Sequence, residues 1–289
     1  MKAKRESYIR DALALLDGSA LPGGAVRAKE DELNSMVHKL LHASSATALG
    51  RQHLFHLMHA RRSGSALTSG RVLNRHAIRE LRWWVDRLSE EVGVPLAFRQ
   101  QWPATSSDGH LVVYGDASRE LGSPGESGLG GWAVFGDTMF YMEDRWTEEE
   151  MVDFSINVLE AITLDMLTAT MMRVAEELRV SGDVRSIGKV THVSEFTDNT
   201  AAEHSSERGK PSQIAMQRLV ARRYQELYSK RVWNRTLRVA SCDNDIADGL
   251  SRGGSMLREA LALAVSCGLR TQRVDIEPHR RDTSWLRSL

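Results

Sequence analysis

Gly131-Trp-Ala-Val-Phe-Gly-Asp-Thr-Met-Phe-Tyr-Met142 reads as two apolar strands around a tight turn. The runs Gly131–Phe135 and Thr138–Met142 flank Gly136-Asp137, a hairpin signal in reversed order. Just upstream, Leu111-Val-Val-Tyr114 is a candidate central strand, and residues 121–130 read as a Gly-rich connection. Downstream, Thr147-Glu-Glu-Glu150 fits a helix capping box and opens a helix expected to run to about Leu178. Lys189–Thr197 is the next strand, 212–230 a helix, Val232–Ala240 the last strand and Asn244–Arg252 a short helix. The order is β-β-β-α-β-α-β-α, an α/β chain whose five strands form a mixed sheet flanked by helices.

Before residue 100 the period is helical. Residues 6–17 and 30–62 read as helices, the second carrying Leu33, Met36, Val37, Leu40, Leu41, Leu54, Leu57 and Met58 at helical spacing, with a turn at Gly50. Asn74 to Val92 is a third, with Ile78, Leu81, Trp84, Val85 and Leu88 on one face, stopped by Gly93-Val-Pro95. Residues 63–70 read as a loop and 97–109 as a polar linker. The expected division is a helical segment 1–103, an α/β domain 104–253, and an extension 254–289 whose helix 255–267 precedes a tail without clear pattern.

The chain has 289 residues, 42% hydrophobic and 26% charged, which is ordinary for a globular protein. The longest purely apolar run, Ala260–Val265, is far shorter than the roughly 18–20 residues of a membrane span, so no membrane partner is expected. Met1-Lys-Ala-Lys-Arg-Glu leads into no apolar segment, and Cys242 and Cys267 cannot build a disulfide scaffold. A cytoplasmic or nuclear location is expected. The zero net charge hides an asymmetry: +6 over residues 1–100, −12 over 101–200 and +6 over 201–289. Clustered carboxylates call for solvent or cations, and clustered bases suit a polyanion.

Four carboxylates stand at telling places. Asp116 follows the first strand, Glu160 lies inside the long helix, Asp198 ends the fourth strand and Asp248 opens the helix after the last strand. Taken singly, each strand-end Asp reads as a turn or cap, and Glu160 as a residue at the helix surface. Together they converge on one sheet edge, and an oxygen-only cluster suits Mg²⁺ or Mn²⁺. Two such ions activate water and stabilise the leaving oxygen in phosphodiester cleavage. His53-x-x-His56-x-x-His59 drifts around a helix and is not read as a metal site, and Trp83 and Trp84 are read as packing residues.

The contexts of these carboxylates resemble a known family. Val113-Tyr-Gly-Asp-Ala-Ser118, Ile156-Asn-Val-Leu-Glu160, Phe196-Thr-Asp-Asn-Thr200 and Asn244-Asp-Ile-Ala-Asp-Gly-Leu-Ser-Arg252 resemble ribonuclease H. More narrowly, they resemble the ribonuclease H region of retroelement reverse transcriptases, DIRS-like or gypsy-like. Leu81-Arg-Trp-Trp-Val-Asp-Arg-Leu88 resembles the helix that precedes that region, so 1–103 is expected to be an all-helical connection or thumb-like segment. The resemblance covers about residues 30–253. It implies a ribonuclease H-like fold and an endoribonuclease that cuts the RNA strand of RNA/DNA hybrids. It further implies two Mg²⁺ or Mn²⁺ ions held by Asp116, Glu160, Asp198 and Asp248, with Asp116 bridging both, and a polymerase domain of the same element as partner. Two features depart from the family: Arg238-Val-Ala-Ser-Cys242 has no His before the fourth carboxylate, and no aromatic-x-Asp-Asp occurs, so the chain is not a complete reverse transcriptase. A catalytically silent ribonuclease H-fold module that tethers nucleic acid remains the alternative. A transposase or integrase does not fit, because the Glu comes second.

From Arg208 to Arg238 there are nine bases and one acid, Glu226, with Tyr224, Tyr228 and Trp233 interleaved. Arg208, Lys210, Arg218, Arg222, Arg223, Lys230 and Arg231 are therefore expected to track phosphates, or else to form a solvated basic helix.

Overall fold

A computed structural model describes residues 2–44, 50–62, 70–90, 109–120, 127–182, 188–208 and 213–287. They fall into two units, Met1–Gln101 and Trp102–Leu289.

The described residues of the first unit form the α-helices α1 (Lys2–Leu16), α2 (Glu30–Ala43), α3 (Phe55–Arg62) and α4 (Arg75–Ser89). The expected single helix over 30–62 is broken, as Gly50 signals. A Cβ there meets Trp84 at 2.7 Å and Ser44 Cα at 2.9 Å, so only glycine lets the chain turn against α4. Asn74 caps α4 by accepting from the His76 and Ala77 amides. Glu80, buried in α4, accepts from the His56 and Leu57 amides at 3.0 Å and so caps α3 from a distance. The unit is not all-helical. It holds a three-stranded antiparallel sheet of β1 (Ser19–Leu21), β2 (Ala25–Ala28) and β3 (Arg71–Leu73). Strands of three or four residues are too short to show alternation in sequence.

Trp84 is fully buried, and its indole N–H donates to the His53 carbonyl at 2.8 Å. His53 stacks on Trp83 at 3.9 Å between ring centroids, and burial pushes its pKa down to about 4. His56 instead stacks on His76 at 4.8 Å. The tryptophans pack, and the histidines serve different neighbours.

The second unit carries the mixed sheet flanked by helices expected of a ribonuclease H-like fold. β4 (His110–Ala117), β5 (Gly128–Phe135) and β6 (Thr138–Arg145) form an antiparallel meander. Gly136, at φ 62°, begins the two-residue turn between β5 and β6. β7 (His192–Thr197) lies parallel to β4, and β8 (Trp233–Arg238) parallel to β7. A sixth strand, β9 (Arg270–Arg273), joins the far edge parallel to β6. The patternless tail thus enters the sheet, and it is polar because an edge strand need not be buried.

The helix expected from Thr147 onward is two: α5 (Glu148–Asp153), with its Thr147/Glu150 capping box, and α6 (Ile156–Ser181). Between them Phe154 is extended and buried in the core. The other α-helices among the described residues of the unit are α7 (Thr200–Arg208), α8 (Ile214–Ser229), α9 (Asp245–Arg252), α10 (Gly254–Ser266), α11 (Pro278–Arg281) and α12 (Ser284–Arg287).

One packing detail positions the site. Gly115 of β4 and Gly131 of β5 face each other in register. A Cβ at Gly115 meets Leu164 at 3.1 Å, and one at Gly131 meets Leu167 at 2.6 Å. The glycine pair is a trough into which α6 sinks. Glu160 lies one turn before Leu164 on the same helical face, so the trough delivers it to the end of β4.

Candidate functional site

β4 and β7 run parallel, so their C-terminal ends share one edge of the sheet. Asp116 is the penultimate residue of β4, and Asp198 follows β7 directly. Glu160 reaches the same point from α6. One carboxylate oxygen from each of the three lies within 4.8 Å of the others. Asp116 and Glu160 are 5% and 3% exposed, and Asp198 is partly exposed. The cluster is pinned from behind. Asn199 caps α7 through the Ala201 and Ala202 amides, and its side-chain N–H donates to Asn157 Oδ1 at 3.0 Å, tying the end of β7 to the first turn of α6.

The electrostatics are those of a site short of positive charge. Burial pushes Asp116 up to about 6, helped by the charges of Asp198 and Asp248 and opposed by the Ser251 hydrogen bond and the charge of Arg252. Burial raises Glu160 well above the usual carboxylate range, with Asp116 and Asp198 adding to the rise. Among the described residues of this unit five carboxylates are buried: Asp116, Glu150, Glu160, Asp165 and Glu195. Glu150 pairs with Arg281, Asp165 with Arg222 and Arg280, and Glu195 with Arg223. Asp116 and Glu160 form no ion pair among the described residues. Burying a carboxylate without a paired opposite charge is costly. Two of them beside a third acid therefore suit a divalent cation with oxygen ligands, Mg²⁺ or Mn²⁺. No other group of acids, His or Cys among the described residues is arranged to hold a metal.

Asp248 stands apart from this cluster. Its carboxylate is taken by Arg252 Nε at 2.8 Å, and Arg252 also reaches Glu120 at 3.0 Å. It is near enough for its charge to act on Asp116. The four candidate ligands thus converge as three plus a neighbour.

What brings α9 to the site is a close approach. A Cβ on Gly130 of β5 meets the Ser251 amide nitrogen at 2.4 Å and Leu250 Cβ at 2.5 Å. Fully buried Ser251 then donates from its hydroxyl to Asp116 Oδ2 at 2.6 Å. The Ser251 carbonyl accepts from Ser118 Oγ at 2.9 Å and Arg145 at 2.8 Å. Ser251 and Arg252 stand in the most specific motif of the sequence, but nothing there tells that the hydroxyl meets Asp116, and Arg145 has no sequence signal.

The expected basic surface needs correction. Arg223 is 3% exposed and faces the sheet, paired with fully buried Glu195, which also accepts from Thr168 at 2.5 Å and Thr236 at 2.9 Å. It cannot meet a phosphate. Arg222 holds Asp165 at 2.5 Å and lies 4.0 Å over the Trp285 ring, and Arg218 points at the carbonyls of Trp285 and Leu286. Both are engaged by the C-terminal tail or the core. Lys230 is exposed and pairs with Glu226 at 2.9 Å, and Arg231 is exposed in a left-handed turn at φ 58°. Lys210 lies outside the described residues, and Arg208 is the last residue of α7.

Neither a family model nor a curated protein matches the chain. Solved structures similar to it include RNase H1 from the halophilic archaeon Halobacterium salinarum NRC-1, at 18% identity over 53% of this chain and 98% of that one, TM-score 0.32. LC11-RNase H1, isolated from compost by a metagenomic approach and solved in complex with an RNA/DNA hybrid, is similar at 17% identity over 54% and 99%, TM-score 0.34. A foamy viral protease-reverse transcriptase in complex with an RNA/DNA hybrid is similar at 11% identity over 80% of this chain and 26% of that one, TM-score 0.24.

Proposed function

We propose that the chain is a ribonuclease H-type endonuclease that hydrolyses the RNA strand of RNA/DNA hybrids with two divalent ions, Mg²⁺ or Mn²⁺. The observation that carries this reading is the convergence of Asp116, Glu160 and Asp198, the first two buried and forming no ion pair among the described residues, at the shared end of two parallel strands. Bound there, divalent ions supply an activated water and charge stabilisation at the leaving oxygen. The protein's part is to hold oxygens in place. β4 and β7 fix two carboxylates, and α6, sunk in its glycine trough, fixes the third. Asp248 would be a fourth ligand to such ions, in place of its pair with Arg252. Exposed Lys230 and Arg231 are the members of the basic stretch we assign to the phosphate backbone. The motif Asn244–Arg252 supports a retroelement origin, as the nuclease part of a reverse transcriptase polyprotein or a fragment of one, with a polymerase domain of the same element as partner.

The test is incubation with end-labelled RNA/DNA hybrid in Mg²⁺, in Mn²⁺ and in EDTA. Metal-dependent cleavage of the RNA strand, lost in Asp116→Asn, is expected. One observation favours the silent-tether reading: Asp248 is already satisfied by Arg252. Hybrid binding without cleavage in either metal decides for it.

A further inference from the structure

We propose that Ser251 is a positioning residue for the metal centre, fixing the carboxylate of Asp116 for its cation; this rests on the ribonuclease H-type reading above. Ser251 is fully buried, and its hydroxyl lies 2.6 Å from Asp116 Oδ2. The hydroxyl has two acceptors in reach, Asp116 Oδ2 and the Asp248 carbonyl at 2.9 Å, and the shorter, charge-assisted bond to the buried carboxylate restrains that oxygen. One oxygen is thereby held by the protein, in a carboxylate that brings an oxygen within 4.8 Å of oxygens of Glu160 and Asp198.

The serine is itself anchored, which separates positioning from simple packing. Its carbonyl accepts from two donors, Ser118 Oγ on the chain leaving β4 and Arg145 at the end of β6. Ser118 also accepts from the Gly128 amide at 3.0 Å, closing a ring through β4, β5 and α9. Gly130 permits the approach, because any side chain there drives α9 away. Two glycines thus place the site from opposite sides: Gly131 lets in α6 with Glu160, and Gly130 lets in α9 with Ser251. Groups that orient a metal ligand in this way typically change metal affinity 10–100-fold when removed.

Mn²⁺ binding by titration calorimetry on the full chain tests this, with wild type, Ser251→Ala and Ser251→Cys compared, the last keeping the volume but donating poorly. Both variants are expected to bind Mn²⁺ at least about tenfold more weakly. On labelled hybrid, kcat is expected to fall at saturating substrate while KM for the hybrid stays within about twofold. Melting in EDTA reports the fold. If Ser251→Ala does not fold, the near-isosteric cysteine variant carries the test. Wild-type Mn²⁺ affinity in a folded variant overturns the positioning role and leaves the nuclease reading standing. A wild-type chain that binds no divalent ion overturns both.

Discussion

Replacing Asp116 by Asn in the metal-free protein should stabilise it, and the gain should depend on pH in a way that identifies its cause. Burial and the neighbouring acids lift the Asp116 pKa to about 6, against 3.8 as an ordinary carboxylate. A rise of about two units corresponds to about 3 kcal/mol between the protonated and ionised forms. The group is 5% exposed, so solvent screening does little to reduce this. The folded state holds the proton more tightly than the unfolded chain. Stability associated with Asp116 is therefore fully present below pH 3.8 and is lost as pH rises through 6. Asn carries no charge at any pH and still offers an oxygen to the Ser251 hydroxyl. Above pH 6 the variant should exceed wild type by up to about 3 kcal/mol, with the difference closing toward pH 4. Glu160, raised partly by Asp116, titrates together with it, so the measured difference belongs to the pair. Glu80, which burial lifts to about 7, is common to both proteins and cancels. Urea unfolding followed by circular dichroism in EDTA at pH 8, 7, 6, 5 and 4 gives the curve. Repeating it in Mn²⁺ at a hundred times the dissociation constant should return about 2.7 kcal/mol to wild type and little to the variant. A variant less stable than wild type at pH 8 in EDTA, or a difference flat with pH, refutes the reasoning.

Arg223→Ala should cost about 3–5 kcal/mol in urea unfolding, because it leaves fully buried Glu195 without its ion-pair partner; normal stability with lost hybrid affinity would return Arg223 to the binding surface. Gly131→Ala forces a methyl to within 2.6 Å of Leu167 and should destabilise by about 1–3 kcal/mol. Displaced with α6, Glu160 should also bind Mn²⁺ more weakly, so unchanged calorimetry speaks against the trough. The double change Lys230→Ala and Arg231→Ala should shallow the log–log salt dependence of hybrid binding by up to about 2, whereas an unchanged slope places the phosphates elsewhere.

The sequence is legible where burial imposes a period and opaque where it does not. β4, β5 and β6 announce themselves because their residues must fill a core. β9 is Arg270-Thr-Gln-Arg273, a polar edge strand held by backbone pairing with β6, and no side-chain pattern betrays it. The break between α5 and α6 is hidden because Phe154 is apolar and buried, continuing the pattern of the helices while its backbone is extended. The correction at Arg223 differs, since its signal is present in the sequence. Met216, Leu219, Val220 and Leu227 are the buried stripe of α8, and Arg223 sits four residues after Leu219 and four before Leu227. A base in the middle of an apolar stripe has to meet a buried acid, and periodicity outranks charge when the two disagree.

The charge asymmetry of the chain carries the same lesson further. The acidic middle and the basic last third read as a cation site beside a polyanion surface, yet most of that complementarity is spent inside the unit. Arg222 and Arg280 answer Asp165, Arg223 answers Glu195, and Arg281 answers both Glu150 and Asp144. The C-terminal tail is thus bound to the middle of the chain by arginines on carboxylates, and it also contacts Arg218 and Arg222. Removing these pairs from the count of acids leaves Asp116 and Glu160 as the buried carboxylates that form no ion pair among the described residues, with Asp198 beside them. Among the described residues, each other buried acid of the unit has a guanidinium partner and these two have none, the arrangement that suits a divalent cation.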